Sequence, residues 1–501
     1  MNINEVVLTK EQQDIVDFVE VLFNSSNKYN SMAIKAFAGC GKSFVLKYIA
    51  YKFKDKKILG LAFNNSIYKE NKKSFPKRNT KWFTVHGFAK EYLKKFGVNF
   101  DFENCTSNFK DIELIHILEI DDQGDYQLGK CINEIMKVYC QSSLQSITPD
   151  NIKKAAKSQT NKDVISMNEA YLELGCKYAN KLWNLFEENK IPPTFDFYLK
   201  YFEVNRFAEK ITEFDLLELD EAQDSNAVTM SIVTQLPTKN IYVGDEHQSI
   251  YAFRGTLNAM RYADKLFYLS STFRYIPKIA NFANKILKSY KLEKVPICSL
   301  AKDDGKKDGL SAFISRNNSS MIALIADLIR EEKKFITVKD PDDLFEAALA
   351  ILEFRLEKKV SKKNFMYLSK FQSIEQIKEY IDETKDNELQ TAYKMQERYG
   401  KALYIFLKQA KENFKSKEHI EYVLTTAHTS KGLEWDEVTL LDDFPDIPRK
   451  LKEAKINGPK ELLIKTREND IVASSIVQEI NLFYVAITRA RYKFNYKEVD
   501  A

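Results

Sequence analysis

Apolar residues recur at helical spacing near the start of the chain, where Ile15, Val16, Phe18, Val19 and Phe23 share one face. Thr9 precedes that face and Gln12 follows three positions later, the spacing of a capping box, so a helix over 9–23 is expected. The period then changes. Residues 32–37 and 58–63 are short continuous apolar runs, with a glycine turn and a helical stretch, 43–52, between them. Strand, turn, helix and strand in that order predict a parallel sheet. Strand-like runs return at 216–220 and 241–244, after a lysine-rich, mostly helical stretch from about 88 to 190 that reads as an insertion. A second set of strands begins near 311–315 and resumes at 422–426, at 438–441 and in the alternation of Tyr492, Phe494 and Tyr496. The stretch from 321 to about 420 is again mainly helical. Two α/β units in tandem are expected, each interrupted by a helical insertion, with no internal repeat that would mark a solenoid.

Composition narrows the class without naming a function. Of 501 residues, 44% are hydrophobic and 29% charged, which supplies the apolar mass a largely disordered chain lacks. That length predicts about three to four domains. The six cysteines, at positions 40, 105, 131, 140, 176 and 298, contain no C-x-x-C pair. Their scatter speaks against a zinc ribbon or disulfide scaffold and fits a reducing compartment. The first residues are polar and of mixed charge, unlike a signal peptide. No run reaches the length of about 18 apolar residues that a spanning helix needs. With 76 Lys and Arg against 71 Asp and Glu, the net charge is +5. That small basic excess permits nucleic-acid binding without indicating it.

Chemistry enters at the end of the first strand. The run from Ala36 through Phe37, Ala38, Gly39, Cys40, Gly41 and Lys42 to Ser43 matches a phosphate-binding loop, except that Ala36 replaces the first glycine. Gly39 and Gly41 let backbone N–H groups turn toward phosphate oxygens, and the following helix adds its positive end. Lys42 brings a charge to the β- and γ-phosphates, and Ser43 a hydroxyl for Mg²⁺. The strand 216–220 ends in Asp220 and Glu221. An aspartate there can hold Mg²⁺, and the adjacent glutamate can deprotonate an attacking water, which favours hydrolysis. A lone acidic cluster after a strand is more often a helix cap; beside Lys42 the metal reading is preferred.

Further groups follow other strands. Gln248 is an amide that can report a γ-phosphate, and Tyr251 and Phe253 can stack on unpaired bases, although an isolated aromatic pair is more often core. The runs holding Phe273 and Arg274, Thr426 to Glu434, and Tyr484 to Arg489 each place an exposed cation beside an apolar element. Taken singly, Arg274 and Arg489 are surface salt-bridge candidates of little energetic value.

In this order and spacing the set resembles superfamily 1 DNA helicases of the UvrD/PcrA/Rep type, over nearly the whole chain from Gln12 to Arg489. It is most similar to the F-box DNA helicase subgroup without its F-box, on the runs beginning at Leu61, Pro193 and Glu479. The resemblance implies two tandem RecA-like P-loop motor domains, an α/β fold. The first occupies 1–87 and 193–268 around a helical insertion, 88–192; the second occupies 269–320 and 421–501 around a smaller one, 321–420. It further implies ATP and Mg²⁺ as cofactors. Gln12 reads adenine, and Phe273 stands where an adenine-stacking tyrosine is usual. Residues 38–43 hold phosphates, Ser43 and Asp220 the metal, and Glu434 the ribose side. Glu221 is the base, Gln248 the γ-phosphate sensor, and Arg274 and Arg489 two arginine fingers. Phe63, Asn64, Thr84, His86, Tyr251, Phe253, Arg254, Thr426 and His428 face the DNA, with Phe253 in place of the usual tryptophan.

The function this implies is ATP-dependent 3′–5′ translocation on single-stranded DNA, with unwinding of tailed duplexes in repair or recombination. The alternatives are a translocase that strips bound proteins such as recombinase filaments, and a motor subunit of a nuclease or defence complex. A cytoplasmic location is expected, or a nuclear one in a eukaryote, with no membrane partner. No F-box-like segment precedes Gln12 and only a short tail follows Ala490, so neither a ubiquitin-ligase role nor an appended nuclease is expected.

Overall fold

The computed structural model describes residues 6–24, 28–120, 125–251, 255–301, 309–416, 419–496 and 499–500. Six strands build the first sheet: β1 (Ser31–Ala36), β2 (Ile58–Ala62), β3 (Thr80–Thr84), β4 (Leu216–Asp220), β5 (Lys239–Gly244) and β6 (Lys265–Leu269). They lie in the order β3-β2-β4-β5-β1-β6, and every pairing is parallel. β1, β2 and β4 are buried along their whole length. Strands covered on both faces carry apolar side chains at successive positions, which is why these three read as unbroken runs. The edge strands β3 and β6 are partly exposed and mix Lys with aromatic residues, so periodicity did not find them.

A two-stranded parallel pair follows, β7 (Ser271–Thr272) with β8 (Cys298–Ser299). The second sheet contains β9 (Ser311–Ser315), β10 (Phe335–Thr337), β11 (Tyr422–Thr426), β12 (Trp435–Leu440), β13 (Ala490–Tyr496) and β14 (Val499–Asp500). Its order is β10-β11-β9-β12-β13-β14, parallel except for the last pair. The strand β10 lies within the stretch that read as helical and joins the sheet beside β11.

Helices occupy both intervals between strands. Between β3 and β4 run seven helices from Val85–Lys95 to Phe195–Val204, and between β10 and β11 run Pro341–Glu357, Ile374–Thr384, Asn387–Tyr399 and Ala402–Ser416. The apolar core follows this layout. One face of the first sheet merges with the first helical stretch around Phe88, Phe197 and Leu219. The other face runs on into the second sheet, joining Ile34 and Val243 to Ile314, Val438 and Tyr484. The second helical stretch has its own core, which also takes in Ile112 of the first. Among the described residues no single helix is long and apolar enough to cross a membrane.

The C-terminal ends of the parallel strands gather the chemistry. Asp220 is level with Val243, Lys35 with Gly244, and Ala36 with Leu269. The loops leaving β1, β4 and β5 therefore emerge side by side, where open α/β sheets bind ligands.

Candidate functional site

The helix Lys10–Phe23 opens the site. Its capping box is present as expected: Gln12 N–H donates to Thr9 Oγ1, and Thr9 N–H donates to Gln12 Oε1 at 2.9 Å. Gln12 is buried, and a Cβ on Gly41 would lie 3.6 Å from its Nε2, so its amide borders the loop after β1. In that loop Gly39 and Gly41 hold φ of +74° and +79°, a region that side chains disfavour. Gly39 also has no room for a Cβ, which would meet Thr272 Oγ1 at 2.7 Å. Here the chain leaving the first sheet straps the loop: Thr272 Oγ1 donates to Ala38 O at 3.0 Å and Phe273 N–H to Gly39 O at 3.0 Å. Cys40 is buried beneath, and burial pushes its thiol well above the ordinary range.

Lys42 starts the helix Lys42–Lys52 and pairs with Glu221 across the site. Ser43, next to it, is exposed. Glu221 has φ of +55°, a left-handed conformation uncommon for a non-glycine residue. Burial alone would raise its carboxyl; Lys42 and Lys431 beside it more than reverse this and hold it well below the usual carboxylate range. Asp220 shows the opposite balance. Burial, with Glu221 adjacent, pushes it up to about 6, while Asn71 Nδ2 donates to it at 3.4 Å. Asp224 is likewise pushed up to about 6 by burial, although Lys431 pairs with it.

Residues 245–249 form the other wall. Gln248 lies in a one-turn helix, Glu246–Gln248; its Nε2 donates to Asp245 Oδ2 at 2.8 Å and its Oε1 accepts from Arg489 Nη2 at 3.2 Å. Arg489 is only 1% exposed and also donates to Val485 O and Leu433 O. Burial, together with the nearby Arg274, lowers its guanidinium to about 9. Arg274 forms an ion pair with Glu434 at 2.7 Å, and Phe273 is half exposed beside it. The structure thus brings the phosphate loop, Gln12, Asp220, Glu221, Gln248, Phe273, Arg274, Glu434 and Arg489 to one joint between the sheets.

The strand-facing set is more dispersed. Phe63 and Tyr251 stack with centroids 5.2 Å apart, and Tyr251 lies 6.2 Å from the His428 ring. Burial and Arg316 lower the His428 pKa. Asn64 and Thr84 cap the helices that follow them, accepting from Ile67 N–H at 2.9 Å and Gly87 N–H at 3.0 Å. Thr426 shares a hydroxyl hydrogen bond with Thr429, and His86 Nε2 lies 3.3 Å from Asp196. A cavity of about 560 Å³ is lined by Phe63, Thr84 and His86 on one side and by Asp220 and Glu221 on the other. Phe253 and Arg254 lie outside the described residues.

Sequence reasoning missed several partners. Lys431 stands in a run singled out for its neighbours, yet its ammonium reaches Asp224, Glu221 and the carbonyl of Gln248. Tyr484 O–H donates to Asp245 Oδ2 at 3.2 Å while its oxygen accepts from Ala38 N–H. Asn481 Nδ2 donates to Ser249 O at 2.7 Å. None of these contacts leaves a spacing signal, because the partners lie more than 180 residues apart in the chain.

Comparison with known proteins agrees with this geometry. Residues 23–265 match the UvrD/REP helicase N-terminal domain. Over 98% of its length the chain is 26% identical to F-box DNA helicase 1 of Gallus gallus, covering 49% of that protein. Over 97% it is 25% identical to F-box DNA helicase protein 1 of Schizosaccharomyces pombe, covering 56% of it. A probable DNA helicase II homolog of Mycoplasma genitalium is 25% identical over 62% of the chain and 48% of that protein. The chain spans about half the length of the curated relatives it matches.

Proposed function

We propose that this chain, which carries a UvrD/REP helicase N-terminal domain and is homologous along nearly its whole length to F-box DNA helicases, is an ATP-driven motor moving 3′ to 5′ on single-stranded DNA and opening duplexes as it goes. The observation that carries the reading is the joint. Lys42 and Glu221 face each other on the first sheet, and Arg489, from beyond β12, already reaches Gln248.

Each side chain has a task in that cycle. Loop N–H groups and Lys42 hold the β- and γ-phosphates, and Gln12, Phe273 and Glu434 orient adenine and ribose. Once Lys42 turns to phosphate, Glu221 loses its strongest cationic neighbour and its carboxylate becomes a better acceptor for a proton from water, with Lys431 still beside it. Ser43 and Asp220 are the hard oxygen donors that suit Mg²⁺, with Asp220 buried and poised to ionise beside a cation. Bound there, Mg²⁺ neutralises phosphate charge. Gln248 senses the γ-phosphate, while Arg274 and Arg489 meet it from across the cleft, so turnover requires closure. Phe63, which lines the cavity that reaches Asp220, and Tyr251 stacked on it, with His428 nearby, offer stacking surfaces to unpaired bases. Work on DNA during repair or recombination, in cytoplasm or nucleus, follows from the same reading.

A strand-displacement assay on 3′-tailed and 5′-tailed duplexes tests it, with opening expected only on the 3′-tailed substrate. Strand-stimulated ATP hydrolysis without displacement of either would leave a translocase that strips proteins. Lys42→Ala is expected to abolish hydrolysis and keep strand binding; retained turnover would remove the site from its assigned role.

A further inference from the structure

The five residues 245–249 are held by five side chains that lie beyond the first sheet in sequence. Tyr484 donates to Asp245, Arg489 to the Gln248 side chain, Lys431 to the Gln248 carbonyl and Asn481 to the Ser249 carbonyl. The fifth is Glu293, just past the helix Pro277–Lys291, and no recognised motif contains it. Its side chain is 9% exposed. Four donors converge on its carboxylate. The backbone N–H groups of Lys294 and Val295 donate to Oε1 at 2.9 and 3.0 Å. Lys35 Nζ and His247 Nε2 reach Oε2 at 2.6 and 2.9 Å. Lys35, on β1, also pairs with Glu246 at 2.5 Å, whose other oxygen accepts from Asn258 at 2.8 Å. His247 is buried, stacks on Phe37 of the phosphate loop and meets the ring of Tyr484 edge-on. With Nε2 committed to Glu293, its Nδ1 has no partner among the described residues. Among the described residues Glu293 is therefore the one hydrogen-bond partner of this imidazole.

We infer that Glu293 is a positioning residue for ATP hydrolysis: by clasping His247 and Lys35 from the second-sheet side of the joint, it sets the Glu246–Gln248 turn that presents Gln248 to the γ-phosphate. The inference rests on the ATPase reading above. A buried ion pair is weak support for stability, since desolvation offsets most of its attraction, and its best-attested use is to specify one arrangement. Here the arrangement specified is that of the turn that contains the sensor, gripped at the residue next to it. Lys35 holds the turn to its own sheet through Glu246, Arg489 and Lys431 reach Gln248 directly, and Glu293 is the link from the second-sheet side that acts through His247.

Glu293→Gln breaks the clasp by hydrogen-bond polarity. A glutamine has one acceptor oxygen, so its amide nitrogen must face either the two backbone donors or the Lys35 and His247 donors. Lys200→Met removes a buried ion pair of the same kind, with Glu203, and touches neither Glu293 nor the turn. Melting temperatures and strand-stimulated ATP kinetics are measured for both variants. Both are expected to melt lower than the wild type. Glu293→Gln is expected to lose on the order of 10- to 100-fold in kcat, as for a displaced catalytic group, with KM for ATP unchanged within about twofold. Lys200→Met is expected to keep kcat within about threefold. Equal losses of kcat in the two variants would trace the fall to lost stability alone and overturn the inference, as would an unchanged kcat in Glu293→Gln. If that variant does not fold, Glu293→Asp, which keeps the charge on a shorter arm, must show the same fall in kcat, and an unchanged kcat there overturns it equally. A wild-type protein without strand-stimulated hydrolysis would count against the ATPase reading instead.

Discussion

Two of the contacts between distant parts of this chain are made of different materials. At the joint between the sheets the contact is charged and hydrogen-bonded: Lys42 with Glu221, Lys431 with Asp224, Arg489 with Gln248, Arg274 with Glu434. Where the two helical stretches meet, it is aromatic. Tyr126 packs on Phe371 and Tyr380 with centroids 5.8 and 5.3 Å away, and Lys110 lies over Phe365 and Tyr367. A charged joint can be rewired by a charged ligand, because phosphate competes for the same cations. In the aromatic contact the rings are already packed on one another, and among the described residues no ion pair joins them for a phosphate to displace. The first is suited to opening and closing with each turnover, the second to holding a setting through many turnovers.

Arg489→Ala tests the charged side most severely. An arginine finger is worth about 10³ to 10⁵ in turnover, and a loss of that order is expected in steady-state hydrolysis. Lysine should not rescue it, since one ammonium cannot reach Val485 O, Leu433 O and Gln248 together. A loss below tenfold would place Arg489 in the packing of the joint instead.

The aromatic contact has one ionisable weak point. Burial pushes Asp111 from 3.8 up to about 6; Asn133 donates to it, Lys130 offers some relief, and Asp386 across the contact and Glu134 add negative charge. A carboxyl raised in the folded chain stabilises it fully below the unfolded pKa, and that stabilisation is lost as pH rises through about 6. Thermal melts should therefore show the wild type losing up to about 3 kcal/mol between roughly pH 4 and 7, with Asp111→Asn flattening the profile. Parallel profiles for the two proteins would show that Asp111 titrates as an ordinary surface group. Tyr126→Ala is the gentlest probe, expected to cost about 1–2 kcal/mol from lost ring contacts and to leave ATP kinetics unchanged. A fall in kcat there would show that the two contacts are coupled and that the contrast between them is too sharp.

What could be read in advance follows the same division. The phosphate loop, the acid pair at the end of β4 and the strands at 311–315 and 422–426 were legible, because each is local: glycines before a lysine, carboxylates after an apolar run, a buried strand. The edge strands β3 and β6 and the three-residue β10 were not, since edge and short strands need no continuous apolar run. The roles of Glu293 and Lys431 were equally silent, because a pairing across 207 residues, as between Lys431 and Asp224, is set by the tertiary fold and leaves no periodicity. The resemblance supplied Gln12 and Glu434, which chemistry alone would not have chosen. It could not foresee that Asn64 and Thr84 spend their side-chain oxygens on helix caps.

The strap at Thr272 and Phe273 sets the mechanics of the whole assembly. Every strand of the first sheet precedes residue 270 and every strand of the second follows residue 310, so the described chain crosses between them once, bonded to the phosphate loop as it passes. A pivot in that place makes the molecule an unequal lever. Its short arm ends at the phosphates, where displacements stay small enough to preserve hydrogen-bond geometry. Its long arm ends at the helical stretches, where their aromatic contact must yield before a rotation at the strap becomes travel. For the proposed motor, gearing of that kind is what would turn the loss of a phosphate contact into a step along a strand.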